Sequence, residues 1–273
     1  MNLEKFEYKN ILITGASSGI GEAMALLLAR SSANLYLTGK NWENRVEVSE
    51  MYAKTRAFGI DKTYGNTYLF EVDFSDSNSI DALISVITKE KIAFNYLILN
   101  AGVSQRALTL ETAFSVDRTI MEINFFGPVY FIKKLSGLLL SGKPVHIAVT
   151  TSISGLFGFP LRSAYCASKH ALFGFFESLE LENSHIKVTF LIPGRISTPI
   201  SKSALLADGT PYAKMDSGQS KGMDVNKCAR IALRAIRKEK RRRLIGGKEL
   251  LMVYLKKFIP FLFYLLARKI SVT

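Results

Sequence analysis

"NILITGASSGIGEAMALLLARS", residues Asn10 to Ser31, holds three local patterns in succession. Asn10 to Thr14 is a short apolar run rich in isoleucine, as expected of a buried strand. Glu22 to Ser31 is rich in alanine and leucine, which favour helix. Between them Gly15, Gly19 and Gly21 stand in a T-G-x-x-x-G-x-G spacing. Glycine there lets the backbone approach a pyrophosphate closely, and the free N–H groups of the following helix face the anion. Gly15, Ser17, Ser18, Gly19, Ile20 and Gly21 are therefore candidate contacts to a dinucleotide, provided the rest of the chain builds the parallel sheet such a loop requires.

The rest of the chain does alternate. "NLYLTGK" (34–40) reads as a second strand, "VEVSEMYAKTRAFG" (46–59) as a helix, and "TYLFEVDFSD" (67–76) as a third strand whose final acids and serine can cap the helix "SIDALISVITKE" (79–90). "FNYLILNAG" (94–102), "PVHIAVTTS" (144–152) and "IKVTFLIPG" (186–194) are three more strands, separated by helical stretches at 113–136 and 164–182. Apolar strands separated by helices predict an α/β fold: one Rossmann-type, doubly wound parallel sheet of about seven strands with flanking helices. The expected organisation is a nucleotide-binding domain over 1–245 and an apolar, basic tail over 246–273. The polar stretch Ser201 to Gly222 is too long for an ordinary connection and reads as a lid.

The 273 residues are 48% hydrophobic and 22% charged, a globular composition, and the mean hydropathy of +0.15 is high enough to suggest apolar surface. Two cysteines without paired spacing and three scattered histidines predict neither a disulfide framework nor a metal site. The polar N-terminus leads directly into a strand, so a cytoplasmic protein is expected. The net charge of +13 would suit a nucleic-acid or anionic-membrane partner. It is densest at Arg237 to Arg243, where the solvated end of a surface helix is an equal reading. Nothing accompanies it that would read bases, so no nucleic-acid partner is expected.

In such a sheet, ligands bind beyond the carboxyl ends of the strands. After the second strand stand Lys40 and Asn41, where an NAD-binding chain usually places an acid for the ribose hydroxyls. A cation there, with Ser17 and Ser18 nearby, favours NADP(H) over NAD(H). Asp73 after the third strand either accepts from an adenine amino group or caps the next helix. Asn100, Ala101 and Gly102 put open backbone beside the cleft. In "SAYCASKHAL" (163–172), Tyr165 and Lys169 are one helical turn apart and share a face.

Taken together, from about Lys9 to Arg237 the chain resembles the short-chain dehydrogenase/reductase family. "TGASSGIG" is similar to that family's cofactor loop, "NAG" to its sheet-stabilising motif, and Asn124 in "EINFFG" to its helix asparagine. Ser152 in "TTSISG" resembles the active-site serine, and Tyr165 and Lys169 in "YCASK" the catalytic pair, 13 positions beyond Ser152. "PGRIST" resembles the nicotinamide-side loop, which implies cofactor contacts from Pro193, Gly194, Ile196 and Thr198. Leu99 departs from the pattern, standing where a second asparagine is common. The resemblance implies hydride transfer between NADP(H) and a carbonyl or secondary alcohol, in a homo-oligomer.

A free phenol titrates near pH 10, and a neighbouring ammonium is expected to lower Tyr165 toward neutrality. Tyr165 then exchanges the substrate proton, and Ser152 stabilises the developing oxyanion. Lys169 also holds the nicotinamide ribose, while Asn124 either holds a relay water or fixes a helix bend. The apolar runs Leu250 to Leu255 and Phe258 to Ala267 are too short to span a bilayer. Core packing, an oligomer interface and an interfacial membrane helix are all open readings of this tail, and the flanking cations favour the last. Peripheral membrane contact would in turn suit a lipophilic ketone, such as a sterol, acyl or long-chain-base compound. A catalytically silent scaffold of the same fold is the alternative.

Overall fold

The computed structural model describes residues 3–40, 42 and 67–268. The helix expected at 46–59, and Asn41, lie outside the described residues. The elements run β1 (Asn10–Ile13), α1 (Gly19–Leu28), β2 (Asn34–Gly39), β3 (Thr67–Glu71), α2 (Ser77–Lys89), β4 (Tyr96–Leu99), α3 (Phe114–Met121) and α4 (Gly127–Lys134). There follow β5 (Val145–Thr150), α5 (Ser163–Glu182), β6 (Ile186–Pro193), α6 (Val225–Arg237), β7 (Arg242–Ile245), α7 (Leu251–Phe258) and α8 (Pro260–Ala267). The seven strands form one parallel sheet in the order β3-β2-β1-β4-β5-β6-β7.

β1 pairs with β2 on one side and β4 on the other, with Ile11 opposite both Leu35 and Tyr96. Strand order reverses there, which opens a crevice beyond the carboxyl ends of β1 and β4. The strands are apolar on both faces because helices cover both. Phe131, Phe176 and Phe190 fill one face, and Met24, Leu28, Leu233 and Ile236 the other.

Helix ends follow local chemistry. Asp76, not Asp73, caps α2 by accepting from the amide of Asn78 at 2.9 Å. Gln105, completely buried, accepts from the amide of Ala164 at 2.9 Å and so satisfies the start of α5. The helical stretch expected at 113–136 is broken by a π-type turn, Glu122–Phe126, whose residue Asn124 is buried. Such turns displace one residue from regular packing.

The basic run is not a helix end alone. α6 stops at Arg237, the chain reverses through Glu239 at φ 51°, and Arg242 and Arg243 begin β7. The pairing of Leu244 and Ile245 with Ile192 and Pro193 draws the segment into the sheet. Arg241 and Arg242 then reach Glu180 and Glu177, and these charges mark an edge strand that resists further pairing.

Nor is Ser201 to Gly222 a free flap. Leu205 exchanges backbone hydrogen bonds with Ser104 and Arg106 (2.9 and 2.8 Å), and the amide of Ala113 donates to Ala207. The buried side chain of Asp216 binds Arg106. In the tail, Met252, Phe263 and Ala267 join the core, with the Phe263 and Phe157 rings edge-to-face at 4.9 Å. Leu251, Phe258, Ile259, Phe261 and Leu265 remain exposed on the outer side. Among the described residues no helix is long and apolar enough to cross a membrane.

Candidate active site

The crevice is assembled by hydrogen bonds too specific to tolerate larger residues. Thr14, directly after β1, accepts through Oγ1 from the amides of Asn100 (2.9 Å) and Ala101 (3.0 Å), joining the ends of β1 and β4. Gly15 has φ 64°, and a Cβ there would lie 2.8 Å from the Cα of Ala101. A Cβ on Gly21 would lie 2.3 Å from the carbonyl oxygen of Gly15, so only glycine lets α1 start this close to the strand. Ser18 occupies the N-cap of α1, yet its side chain makes no capping bond. The first-turn amides of α1, from Gly19 through Ile20 and Gly21, thus face the crevice without a side-chain cap.

Across the crevice, Pro193 ends β6 and Gly194 donates to the carbonyl of Ile245 at 2.8 Å. Ile196 is held by Gln219, whose amide donates to its carbonyl at 2.8 Å. The side chain of Thr198 lies so near Gly19 that a Cβ on that glycine would touch it at 3.4 Å. The two loops therefore form opposite walls of one narrow cleft. At its outer end Lys40 forms an ion pair of 2.6 Å with Asp73, which also accepts from the amide and hydroxyl of Ser75. Asp73 thus neither caps α2 nor stands free, and its carboxyl sits below the ordinary range: the Lys40 and Ser75 bonds outweigh the burial that opposes them.

Ser152, Tyr165, Lys169 and Asn124 come together beneath this cleft. Ser152 follows β5 beside the Tyr165 phenol; its hydroxyl donates to the carbonyl of Pro193 at 3.4 Å and accepts from the amide of Ser154 at 3.1 Å. Lys169 is buried and donates to the carbonyl of Thr150 at 3.0 Å. Its Nζ and the Oδ1 of Asn124 both border Gly102, where a Cβ would meet them at 3.3 and 3.0 Å. The Asn124 side chain accepts from the amide of Val103 (2.8 Å) and donates to its carbonyl (2.9 Å) and to Ser168 (3.0 Å). It therefore pins the π-type turn to the β4 loop.

The electrostatics correct one expectation. Burial pushes the Tyr165 phenol above its ordinary value, and the opposing influences come from Ser152, Arg162 and Arg106. Lys169 was expected to supply that lowering, but burial brings its own pKa down to about 8, and its Nζ lies 5.9 Å from the phenol ring centre, turned to Thr150. Tyr165 is thus a neutral phenol, with a proton to give.

A cavity of about 1040 Å³ opens beside Ser152 and Gly194, bounded by Phe159, Arg162, Glu249 and Met252. Three groups here gave no signal in the sequence: Gln105 at the start of α5, the Arg106–Asp216 pair, and Glu249, which accepts from the amides of Arg195 (2.8 Å) and Gly247 (3.0 Å). Each depends on loops distant in sequence, Arg106 and Asp216 being 110 positions apart.

A family profile described as short chain dehydrogenase matches residues 9–208. The chain belongs to the short-chain dehydrogenase family. It is 36% identical over 257 residues to dehydrogenase/reductase SDR family member 7B of Bos taurus, covering 93% of this chain and 78% of that one. It is 34% identical over 267 residues to dehydrogenase/reductase SDR family protein 7-like of Drosophila melanogaster, covering 97% and 81%. Among solved structures, a short-chain dehydrogenase/reductase from Burkholderia phymatum in complex with NAD shares the fold with TM-score 0.77 at 21% identity, over 94% of this chain and 95% of that one. A short-chain dehydrogenase from Sphingobium yanoikuyae in complex with NADPH does so with TM-score 0.73 at 21% identity, over 97% of both chains.

The buried ammonium has a measurable consequence. The unfolded chain keeps the Lys169 proton to about pH 10.5 while the folded chain releases it near 8, so the unfolded state binds more protons across that window and native stability rises with pH through it. A Lys169→Met variant lacks this gain. Thermal denaturation of the cofactor-free proteins should show stability shifting toward the native chain by about 2–3 kcal/mol between pH 8 and 10.5, and a difference independent of pH would contradict the burial argument.

Proposed function

We propose that this protein is an NADP(H)-dependent reductase that interconverts a carbonyl and a secondary alcohol, with Ser152, Tyr165, Lys169 and Asn124 as its working set. The observation that carries this reading is the convergence of Ser152, Tyr165 and Lys169 at the end of β5, all buried, with the Lys169 ammonium held by the Thr150 carbonyl. A catalytically silent scaffold has no need of a buried lysine held against one carbonyl, since such burial opposes folding.

The residues present fit a nicotinamide dinucleotide. The uncapped start of α1 and the cleft between Gly19 and Thr198 suit its pyrophosphate, and Gly15, Ser17, Ser18, Ile20 and Gly21 line that approach. Asn100, Ala101 and Gly102 would border the adenosine-side ribose, while Pro193, Gly194 and Ile196 would flank the nicotinamide. Lys169, bonded to Thr150 alone among the described residues, has spare donors for ribose hydroxyls. When bound, the reduced dinucleotide supplies a hydride to the carbonyl carbon. Tyr165 gives its hydroxyl proton to the oxygen as negative charge develops, and Ser152 donates a hydrogen bond to the same atom. Lys169 holds the charge beside the phenol, and Asn124 fixes the turn that leaves this corner open to a proton-relaying water.

Lys40 supports NADP(H): its ion pair with Asp73 holds a cation at the end of β2, where Gly39 packs against Ser17. Asp73 positions Lys40 there, and its carboxylate keeps acceptor capacity for the adenine amino group. The outer side of α7 and α8 favours peripheral membrane contact, because exposed Leu251, Phe258, Phe261 and Leu265 stand among Lys256, Lys257 and Arg268. A second cavity of about 600 Å³ under α8, walled by Phe157, Phe159 and Phe263, would receive the apolar part of a lipophilic substrate. A homo-oligomer contact at the same face is the competing use.

Replacing Tyr165 by Phe should cut carbonyl reduction by about 10²- to 10⁴-fold while nucleotide affinity, read by fluorescence titration, is kept; retained turnover would refute the assignment. Lys40→Asp should lower the NADPH-over-NADH preference in kcat/KM by about tenfold or more, and an unchanged ratio would remove Lys40 from the cofactor site. In co-sedimentation with anionic phospholipid vesicles the full chain should pellet and a Phe258→Glu/Phe261→Glu/Leu265→Glu variant should not. Equal recovery of both in the supernatant would exclude the membrane role.

A further inference from the structure

Arg162 is held by an unusual arrangement directly before the helix that bears Tyr165. The preceding Leu161 adopts φ 61°, a conformation that residues other than glycine avoid, so the chain is forced into the turn that sets Arg162 at the cavity wall. The Arg162 side chain is only 20% exposed, and its guanidinium reaches Asp216 at 3.4 Å. Asp216 is already engaged by Arg106, which bonds it through Nε at 3.2 and 3.1 Å and again through Nη2. Two guanidinium groups thus share one carboxylate in a buried place, leaving one positive charge in excess. The Nε of Arg162 is buried and finds no hydrogen-bond partner among the described residues. A buried charged donor without a partner is costly, and the part of this side chain that stays exposed lies on the cavity wall.

The rest of the cavity carries the same sign. Its cations are Arg162, Arg195, Lys221, Lys227 and Lys248, and its acids are Asp216, Asp224 and Glu249. Each acid is committed within the fold: Asp216 to the two arginines, Asp224 to the amide of Lys227 at 2.8 Å, and Glu249 to the amides of Arg195 and Gly247. Arg195, Lys221, Lys227 and Lys248 form no ion pair among the described residues. Ser152 lines the same cavity, so one molecule can place an anion at Arg162 and a carbonyl at Ser152.

Resting on the reductase reading above, we infer that the substrate is a carbonyl compound bearing an oxyanion, a carboxylate, phosphate or sulfate, which Arg162 anchors in the cavity beside Ser152. Guanidinium suits this role because its planar donors match paired anion oxygens. Arg106 and Asp216 are positioning residues: they hold the guanidinium from behind without touching the substrate. Phe159 borders both this cavity and the apolar one under α8, so one molecule can present an anion to Arg162 and a hydrocarbon part to the second cavity.

The test uses the native full-length protein with a matched pair, 4-oxodecanoate and its methyl ester, followed both as substrates with NADPH and as ligands by calorimetry. The acid should exceed the ester in kcat/KM by about tenfold or more, mainly through KM, and should bind more tightly by a similar factor. Inorganic phosphate and sulfate should compete with the acid, and the stronger competitor tells which oxyanion the site prefers. In an Arg162→Met variant the acid-to-ester ratio should fall toward one, and Arg162→Lys should restore part of it. Equal handling of acid and ester by the native protein overturns the inference, and does so even where Arg162→Met fails to fold. Preferential binding of the acid that is lost in Arg162→Met, without turnover of either compound, sustains the anion site and overturns the reductase reading instead.

Discussion

An ammonium group kept out of water sets the terms for everything around it. Lys169 lies on α5 against the end of β5, and burial alone brings its pKa down to about 8. The structure accepts that penalty by surrounding the group with small residues and fixed backbone. Gly102 leaves space on one side, Gly155 allows the backbone of α5 to approach at another, and the Thr150 carbonyl accepts a hydrogen bond from the ammonium. Larger side chains at either glycine would displace the amine or its neighbours. The same closeness brings the Tyr165 phenol and the Ser152 hydroxyl, both buried, to one corner of the sheet.

That corner is supported from loops far apart in sequence. Gln105 anchors the first turn of α5, Asn124 ties the π-type turn to Val103, and Thr14 joins the ends of β1 and β4. The Arg106–Asp216 pair fastens the long segment after β6 to the loop after β4. Breaking one partner of such a pair leaves an uncompensated buried charge, which is more damaging than the pair is stabilising. The segment is therefore a fixed wall of the cavity beside Ser152, and the charge that it leaves unbalanced falls on Arg162.

The C-terminal helices divide their surfaces between two environments. Met252, Phe263 and Ala267 are drawn into the core, and Lys256 lies over the rings of Phe263 and Tyr264. Val253 and Leu255 pack partly against the same core, whereas Leu251, Phe258, Phe261 and Leu265 face outward. The high mean hydropathy of the chain thus has two sources, and core packing and surface contact are both served by the same 17 residues, 251–267.

Much of the protein is legible without coordinates because its information is local. A strand, a glycine turn and a helix are decided by neighbours within a few residues, and repetition of that pattern leaves few topologies open. Tyr165 and Lys169 are paired by helical periodicity alone, and Gly15, Gly19 and Gly21 by what a close backbone approach permits. What the folded chain alone decided arises from long-range proximity. The pairing of Lys40 with Asp73, the entry of Arg242 into the sheet, and the depression of Lys169 by burial depend on distances and dielectric surroundings that no linear spacing encodes. The same holds for Arg162: in the sequence it is an ordinary cation three residues before Tyr165, and only packing against Arg106 and Asp216 makes it a buried charge without a full complement of partners.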